Sequence, residues 1–255
     1  MTRARPVVMG VVNATPDSFY DGGRVPDLIA HARRLVAEGA DWIDVGGEST
    51  RSGAAPVDED EELRRILPII EALRDETTLS VDTTHPRVAA RALAAGARVV
   101  NDVRGLSDPE MVAVSADAWG VVVMHSRGTP ATMGQLTTYG DVVAEVREFL
   151  VAAATRCRAP RVWIDPGIGF AKTAAQSRHL LSQLSVLVDT GWPVLVGASR
   201  KSFIGATLGL PDPADRLYGS LAAAAAAWQR GASVFRVHDV LATRQLLDLL
   251  AALEA

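Results

Sequence analysis

The chain has 255 residues, 48% of them apolar, and a net charge of −4. That is enough for one large core or two small ones, and the mild acidity argues against nucleic acid as a partner. A single cysteine, Cys157, excludes a disulfide framework and a cysteine metal site and points to a reducing, cytoplasmic compartment.

Arg3 and Arg5 ahead of V-V-M-G-V-V imitate the start of a signal peptide. The run is too short, is rich in Val and meets Asn13 and Pro16 without a cleavage-like site, so no leader is expected. Short apolar runs of this kind recur along the chain: 7–13, 42–48, 79–82, 99–102, 121–125, 162–165, 194–200 and 234–239. Each is too short for a helix and closes on groups able to do chemistry. Helical periodicity fills the gaps. Leu28, Ala32, Leu35 and Val36 share a face before Gly39, and Leu63, Ile66, Leu67, Ile70 and Leu73 follow the acidic 58–62, whose charges suit a helix N-terminus. Pro86 opens a helix that Gly96 ends, and 109–118 predicts a shorter one. Val142 to Leu150, Leu180 to Val188, the Ala-rich 220–228 and Leu241 to Leu253 complete the set. The Ala-rich stretch is too short to span a bilayer, so no membrane is expected.

Strands that are apolar throughout need both faces covered, as parallel strands flanked by helices have. Eight of them favour a closed barrel, and no G-x-G-x-x-G follows the first run to suggest an open dinucleotide-binding sheet. Without a linker or a shift in composition, the expectation is α/β: one (β/α)₈ TIM barrel over residues 1–255. Its site belongs at the C-terminal strand ends, where Asn13, Asp44, Glu48, Asp82, Asn101, Asp102, His125, Asp165, Arg200, Lys201, Arg236, His238 and Asp239 would share a rim. Taken singly, Asp44, Asp102 and Asp239 read as helix caps or turn formers, and His125 as a packing residue. Together the rim suggests a polar heterocycle at one place and an anion at another. Arg51, Arg236 and His238 suit the anion, and the Asn13 carbonyl suits Mg²⁺.

The motifs G10-V-V-N-A-T-P-D-S-F19, D44-V-G-G-E-S-T-R51, S80-V-D-T83, N101-D-V103, V123-M-H125, D165-P-G-I-G-F-A-K-T173, G197-A-S-R-K-S202 and R236-V-H-D-V240 resemble those of the dihydropteroate synthases, in the same order. The resemblance implies that Asp82, Asn101, Asp165 and Lys201 hold a pterin whose pocket Met124 lines. It implies that Asn13 meets Mg²⁺ and a pyrophosphate held by Arg51, Arg236 and His238, and that Thr50, Phe170 and Ser202 surround p-aminobenzoate. The implied reaction joins p-aminobenzoate to 6-hydroxymethyl-7,8-dihydropterin diphosphate, with sulfonamides as competitors and a homodimer as the assembly; the apolar 222–228 stretch is a candidate surface for it. Two alternatives share the pterin positions: a methyltetrahydrofolate-dependent methyltransferase, which would not need S-R-K-S and R-V-H, and a non-catalytic paralogue, which would be expected to lose Arg51, Lys201 or Asp165. One departure stands out. Ser52 occupies the place where the family usually has proline, so the loop is expected to order at a greater entropic cost.

Overall fold

The computed structural model describes residues 5–15, 25–49 and 53–254. Strand β1 (Val7–Asn13) leads to α1 (Val25–Ala37), β2 (Trp42–Gly46) to α2 (Glu59–Leu73), β3 (Thr78–Asp82) to α3 (Pro86–Ala95), and β4 (Val99–Asp102) to α4 (Pro109–Val114). The second half continues with β5 (Gly120–Met124), α5 (Val142–Arg156), β6 (Val162–Asp165), α6 (Ala174–Ser182) and α7 (Ser185–Val188). Then come β7 (Leu195–Val196), α8 (Ser202–Leu208), α9 (Leu217–Gln229), β8 (Val234–Val237) and α10 (Val240–Leu253).

All strand pairs are parallel, in the order β6-β5-β4-β3-β2-β1-β8-β7. A bridge between Ile164 and Val194, with Ile164 N donating to the Pro193 carbonyl at 3.0 Å, brings β6 against β7 and closes the ring. The eight apolar runs are thus the eight staves of the expected barrel. The run at 194–200 forms only a two-residue strand before the backbone leaves the sheet.

Period-two alternation hidden within these runs decides which side chains go where. Ile43, Val45, Leu79, Val81, Val100, Val121, Val123, Ile164 and Phe235 pack with the surrounding helices in the main core. Their neighbours Met9, Trp42, Val99, Val122, Leu195 and Val234 form a second cluster that fills the lower barrel. Trp42, Trp119 and Trp163 floor it, with Trp42 and Trp163 edge to face at 4.9 Å. The guanidinium of Arg161 lies 4.4 Å from the Trp119 ring centre. Further up the same inward rows come Asp44, Asp82, Asn101, Asp165 and Arg236, so β2, β4, β6 and β8 run from an apolar foot to a polar head.

Helix starts follow local chemistry. Asp58 caps α2 by accepting from Asp60 N at 2.9 Å, and Thr173 and Gln176 form a reciprocal capping box on α6. Two expectations are corrected and one helix was not expected. The single helix over 180–188 is two, α6 and α7, parted at Gln183; the helix over 109–118 ends in a 3₁₀ turn at Ser115–Asp117; and α8 carries too little periodicity to be read. The 222–228 stretch is largely spent inside the chain: Ala223, Ala224, Ala227 and Trp228 are buried. The exposed apolar groups nearby are Tyr218 and Leu208. No helix among the described residues is long and apolar enough to cross a membrane.

Candidate active site

Parallel strands finish on one side of a barrel, and the register places Asn13 beside Gly46, Gly46 beside Asp82, Asp82 beside Asn101, and Met124 beside Asp165. Arg236 reaches across from β8 into this group. Its Nε donates to Asp44 Oδ2 at 2.6 Å and its Nη2 to Asp82 Oδ2 at 2.8 Å. Asn101 Nδ2 donates to the same Asp44 oxygen at 3.1 Å. Asp44 is therefore no helix cap: it is fully buried and faces inward, where period-two alternation from Trp42 puts it. Its Oδ1 and that of Asp82 are buried with no hydrogen-bond partner.

Two carboxylates around one guanidinium leave negative charge in excess. Burial pushes Asp82 up to about 7, with Asp44 adding to the effect and Arg236 opposing it. Burial works against the charge of Arg236 too, yet Asp44 and Asp82 outweigh it and hold the guanidinium above its ordinary value.

Asp165 ends β6 and is likewise buried, with Oδ1 accepting from Gly167 N at 2.7 Å. Burial raises its pKa, against the pull of Lys201 and this backbone bond. Lys201 precedes α8; its Nζ donates to the Ile168 carbonyl at 2.5 Å and sits 4.6 Å from the Phe170 ring centre. Burial lowers its ammonium to about 8, with Asp165 opposing. One turn thus joins Asp165, Phe170 and Lys201. Met124 is buried at the end of β5, and Ser202 is exposed as the first residue of α8. Ser199 Oγ lies 3.1 Å from His238 Nδ1. Asn13 is half-buried at the end of β1. Thr50 and Arg51, with the departure at Ser52, lie outside the described residues.

Some groups were misjudged or missed from sequence. Asp102 does form a turn, accepting from Arg104 N and Leu106 N at 2.8 Å each. Asp239 makes no cap bond and instead takes Arg200 bidentately, at 2.9 and 2.5 Å. Lys172 is buried with its Nζ 2.9 Å from His125 Nδ1, a contact visible only once β5 and β6 are neighbours. Glu48, Glu62 and His85 bring two carboxylate oxygens and a ring nitrogen within 4.8 Å of one another, a set able to share a divalent ion or a proton. They come from three separate segments, and spacing alone gave no sign of them.

A cavity of about 250 Å³ opens beside the rim, lined by Glu48, His85, Arg104, Ser126, Thr129 and Phe170 among others. The larger concavity, about 1030 Å³, lies between α5 and α6 on the outside of the barrel and contains no strand-end group.

Residues 9–238 match the model of the pterin binding enzyme family. A dihydropteroate synthase of Synechocystis is 48% identical, over 98% of this chain and 90% of its own length. Among solved structures, the Xanthomonas albilineans dihydropteroate synthase with 4-aminobenzoic acid is similar at a TM-score of 0.91 and 47% identity, covering 98% of this chain and 94% of that one. The Yersinia pestis enzyme, in complex with a sulfonamide drug, has a TM-score of 0.92 at 41% identity over the same shares. The chain belongs to the pterin binding enzyme family, among its dihydropteroate synthases.

Proposed function

We propose that the chain joins p-aminobenzoate to 6-hydroxymethyl-7,8-dihydropterin diphosphate, releasing pyrophosphate and giving 7,8-dihydropteroate. The observation that carries this reading is the pair of buried strand-end carboxylates, Asp82 and Asp165, with an acceptor oxygen of Asp82 left unpaired. Such oxygens call for the N–H donors of a polar heterocycle, because an unsatisfied buried acceptor costs about 1–3 kcal/mol. Asp82, Asn101, Asp165 and Lys201 hold the pterin, and Met124 lines its pocket. Arg51, Arg236 and His238 take the pyrophosphate. Arg236 keeps Nη1 for this, since Nε and Nη2 are engaged by Asp44 and Asp82. Phe170, Ser202 and Thr50 surround p-aminobenzoate.

The chemistry needs little covalent help from the protein. The bond from the pterin methylene to the pyrophosphate oxygen breaks, and its electron pair leaves with the pyrophosphate. The amine nitrogen then forms the new bond to carbon and gives up its extra proton to water. An aromatic amine is neutral at pH 7, so no strong base is required. Cationic donors around the leaving group lower the barrier because they meet charge that grows in the transition state. The carboxylates of Asp82 and Asp165 stabilise the positive charge that develops on the pterin.

Asn13 offers one neutral oxygen at the rim, which fits Mg²⁺ bound chiefly through water and phosphate oxygens and is too little for a resident protein-held metal. When bound, Mg²⁺ would supply Lewis-acid charge to the pyrophosphate. The reading extends to sulfonamides as competitors for the p-aminobenzoate place. It also extends to a cytoplasmic homodimer, with exposed Tyr218 and Leu208 on its surface and no nucleic acid or membrane partner. The test is release of pyrophosphate on mixing both substrates with Mg²⁺. Absence of release, or methyl transfer from methyltetrahydrofolate in its place, would overturn the assignment.

A further inference from the structure

We infer that Lys172, acting with His125, is a positioning residue for the reaction proposed above: its ammonium draws the turn after β6 into the shape that presents Asp165 and Phe170 to the substrates. The inference rests on that reading of the site for what the turn presents, and on geometry for how the turn is held.

Lys172 is buried, and its Nζ meets four acceptors: His125 Nδ1 at 2.9 Å, the Phe170 carbonyl at 2.9 Å, the Gly167 carbonyl at 3.1 Å and, more distantly, the His125 carbonyl at 3.4 Å. Burial lowers the Lys172 ammonium to about 7, with Asp165 opposing; in its charged form it has three protons and no lone pair, so all three are spent on the protein and His125 Nδ1 accepts. That requires a neutral imidazole with its proton on Nε2. Burial, assisted by Lys172 and Arg127, enforces neutrality by lowering His125 to about 3. The ring is itself wedged, edge to face against Phe149 at 5.0 Å.

The turn makes two hydrogen bonds of its own, from Phe170 N to the Gly167 carbonyl at 3.0 Å and from Gly167 N to Asp165 Oδ1 at 2.7 Å, and its backbone is otherwise unfavourable. Gly167, Gly169 and Ala171 all have positive φ, at 64°, 82° and 47°, and for Ala171 that conformation is strained. A Cβ on Gly167 would collide with the His125 carbonyl oxygen, so the backbone passes β5 at closest approach there. This path directs the carbonyls of Gly167 and Phe170 to one point beneath the turn, where Lys172 supplies the positive charge they share. Tyr139 OH adds a bond to the Ala171 carbonyl at 3.0 Å. On the other side of the turn, Asp165 accepts from Gly167 N, and Lys201 Nζ binds the Ile168 carbonyl and lies over Phe170. Two lysines therefore grip one turn, Lys172 at the Gly167 and Phe170 carbonyls and Lys201 at the Ile168 carbonyl. Lys201 also lies over the Phe170 ring, whereas the Lys172 contacts are all with the turn and His125.

The experiment compares the wild type with Lys172→Met, His125→Leu and His125→Asn. The Asn Oδ1 stands close to the place of Nδ1 and accepts, whereas Leu cannot. Four quantities are read: KM for p-aminobenzoate, kcat, the thermal midpoint, and hydrogen exchange of the amides in residues 167–171 without ligand. Lys172→Met and His125→Leu are expected to speed exchange in that segment and to lower kcat/KM by about 100-fold, the scale of a displacement of about 1 Å at a reacting group. Most of this loss should appear in KM for p-aminobenzoate. His125→Asn should recover most of what His125→Leu loses, even if both have the same thermal midpoint. If Lys172→Met does not fold, the two His125 variants decide the matter. Equal kinetics for the Leu and Asn variants, or unchanged exchange in 167–171, would overturn the inference. Wild-type turnover, measured first, tests the proposed reaction separately, and the exchange readout does not depend on it.

Discussion

Arg236 and Asp82 are 154 positions apart in the chain and 2.8 Å apart in the barrel. Around them the inner rows of the strands hold two carboxylates, one guanidinium and one amide where a barrel ordinarily packs hydrocarbon. Removing one member of such a buried set leaves the others uncompensated. Arg236→Met is expected to lower stability by about 3–5 kcal/mol near pH 8, measured by urea unfolding. The pH dependence has a definite sign. Burial raises Asp82 from 3.8 to about 7, so its contribution to folding is full below 3.8 and is lost as the pH climbs through 7. The penalty of Arg236→Met should therefore shrink as the pH is lowered from 8 towards 5, because Asp82 takes up a proton and no longer leaves a bare charge. A penalty that stays constant from pH 8 to 5 would show that Asp82 is ionised throughout. Asp165→Asn makes a separate prediction. The substitution turns one acceptor oxygen into a donor facing a donor, and pterin affinity should fall by about 2–5 kcal/mol with the fold intact. Calorimetry that finds unchanged affinity would remove Asp165 from the pterin site.

Among the elements, the barrel floor and the barrel rim divide stability from function. Trp42 is 6% exposed and meets both Trp119 and Trp163 edge to face, at 6.1 and 4.9 Å. Gly120 is required there because a Cβ would run into the Trp163 ring. Trp42→Ala should cost about 3–5 kcal/mol of stability through lost burial and the cavity left behind. It should leave kcat/KM unaltered for the folded fraction, since the floor lies at the opposite end of β2 from the site. A comparable loss in kcat/KM would mean that floor packing is transmitted to the rim. At this scale the sequence was legible where a helix carries its own punctuation, as with Asp58 before α2 or Pro86 and Gly96 around α3. It was illegible where packing sets the boundary. The Leu180 to Val188 pattern continues unbroken across the join between α6 and α7, and the chain bends there although the periodicity does not.

Over the whole molecule, the ring is uneven. Strand β1 pairs along most of its length with β2 and β8, whereas the closure between β6 and β7 consists of one bridge and the bond from Ile164 N to the Pro193 carbonyl. Local opening follows such differences in pairing. Native-state hydrogen exchange should find Ile164 N less protected than the amides of Val11 and Val12 in β1, and equal protection would show that the barrel opens only as a unit.

Composition and pattern were enough to determine the barrel. Eight apolar runs without visible alternation require two covered faces, and helical periodicity between them provides the cover. The family motifs carried most of the rim with them: Asp82, Asn101 and Asp165 stand at the strand ends their runs predict, and Lys201 stands at the start of α8. The partners of those groups were decided only by the tertiary structure. Asp44 read as a turn former because alternation puts it on the face of Trp42 but does not say which face is inward; closure of the barrel set that face toward Arg236 and Asn101. Asp239 read as a cap until Arg200 was placed beside it. Lys172 showed no function until β5 brought His125 under the turn. Local propensity is set by the nearest few residues, whereas the charge and hydrogen-bond balance of a buried group depends on whatever the fold brings within about 4 Å of it, where electrostatic interactions are strongest.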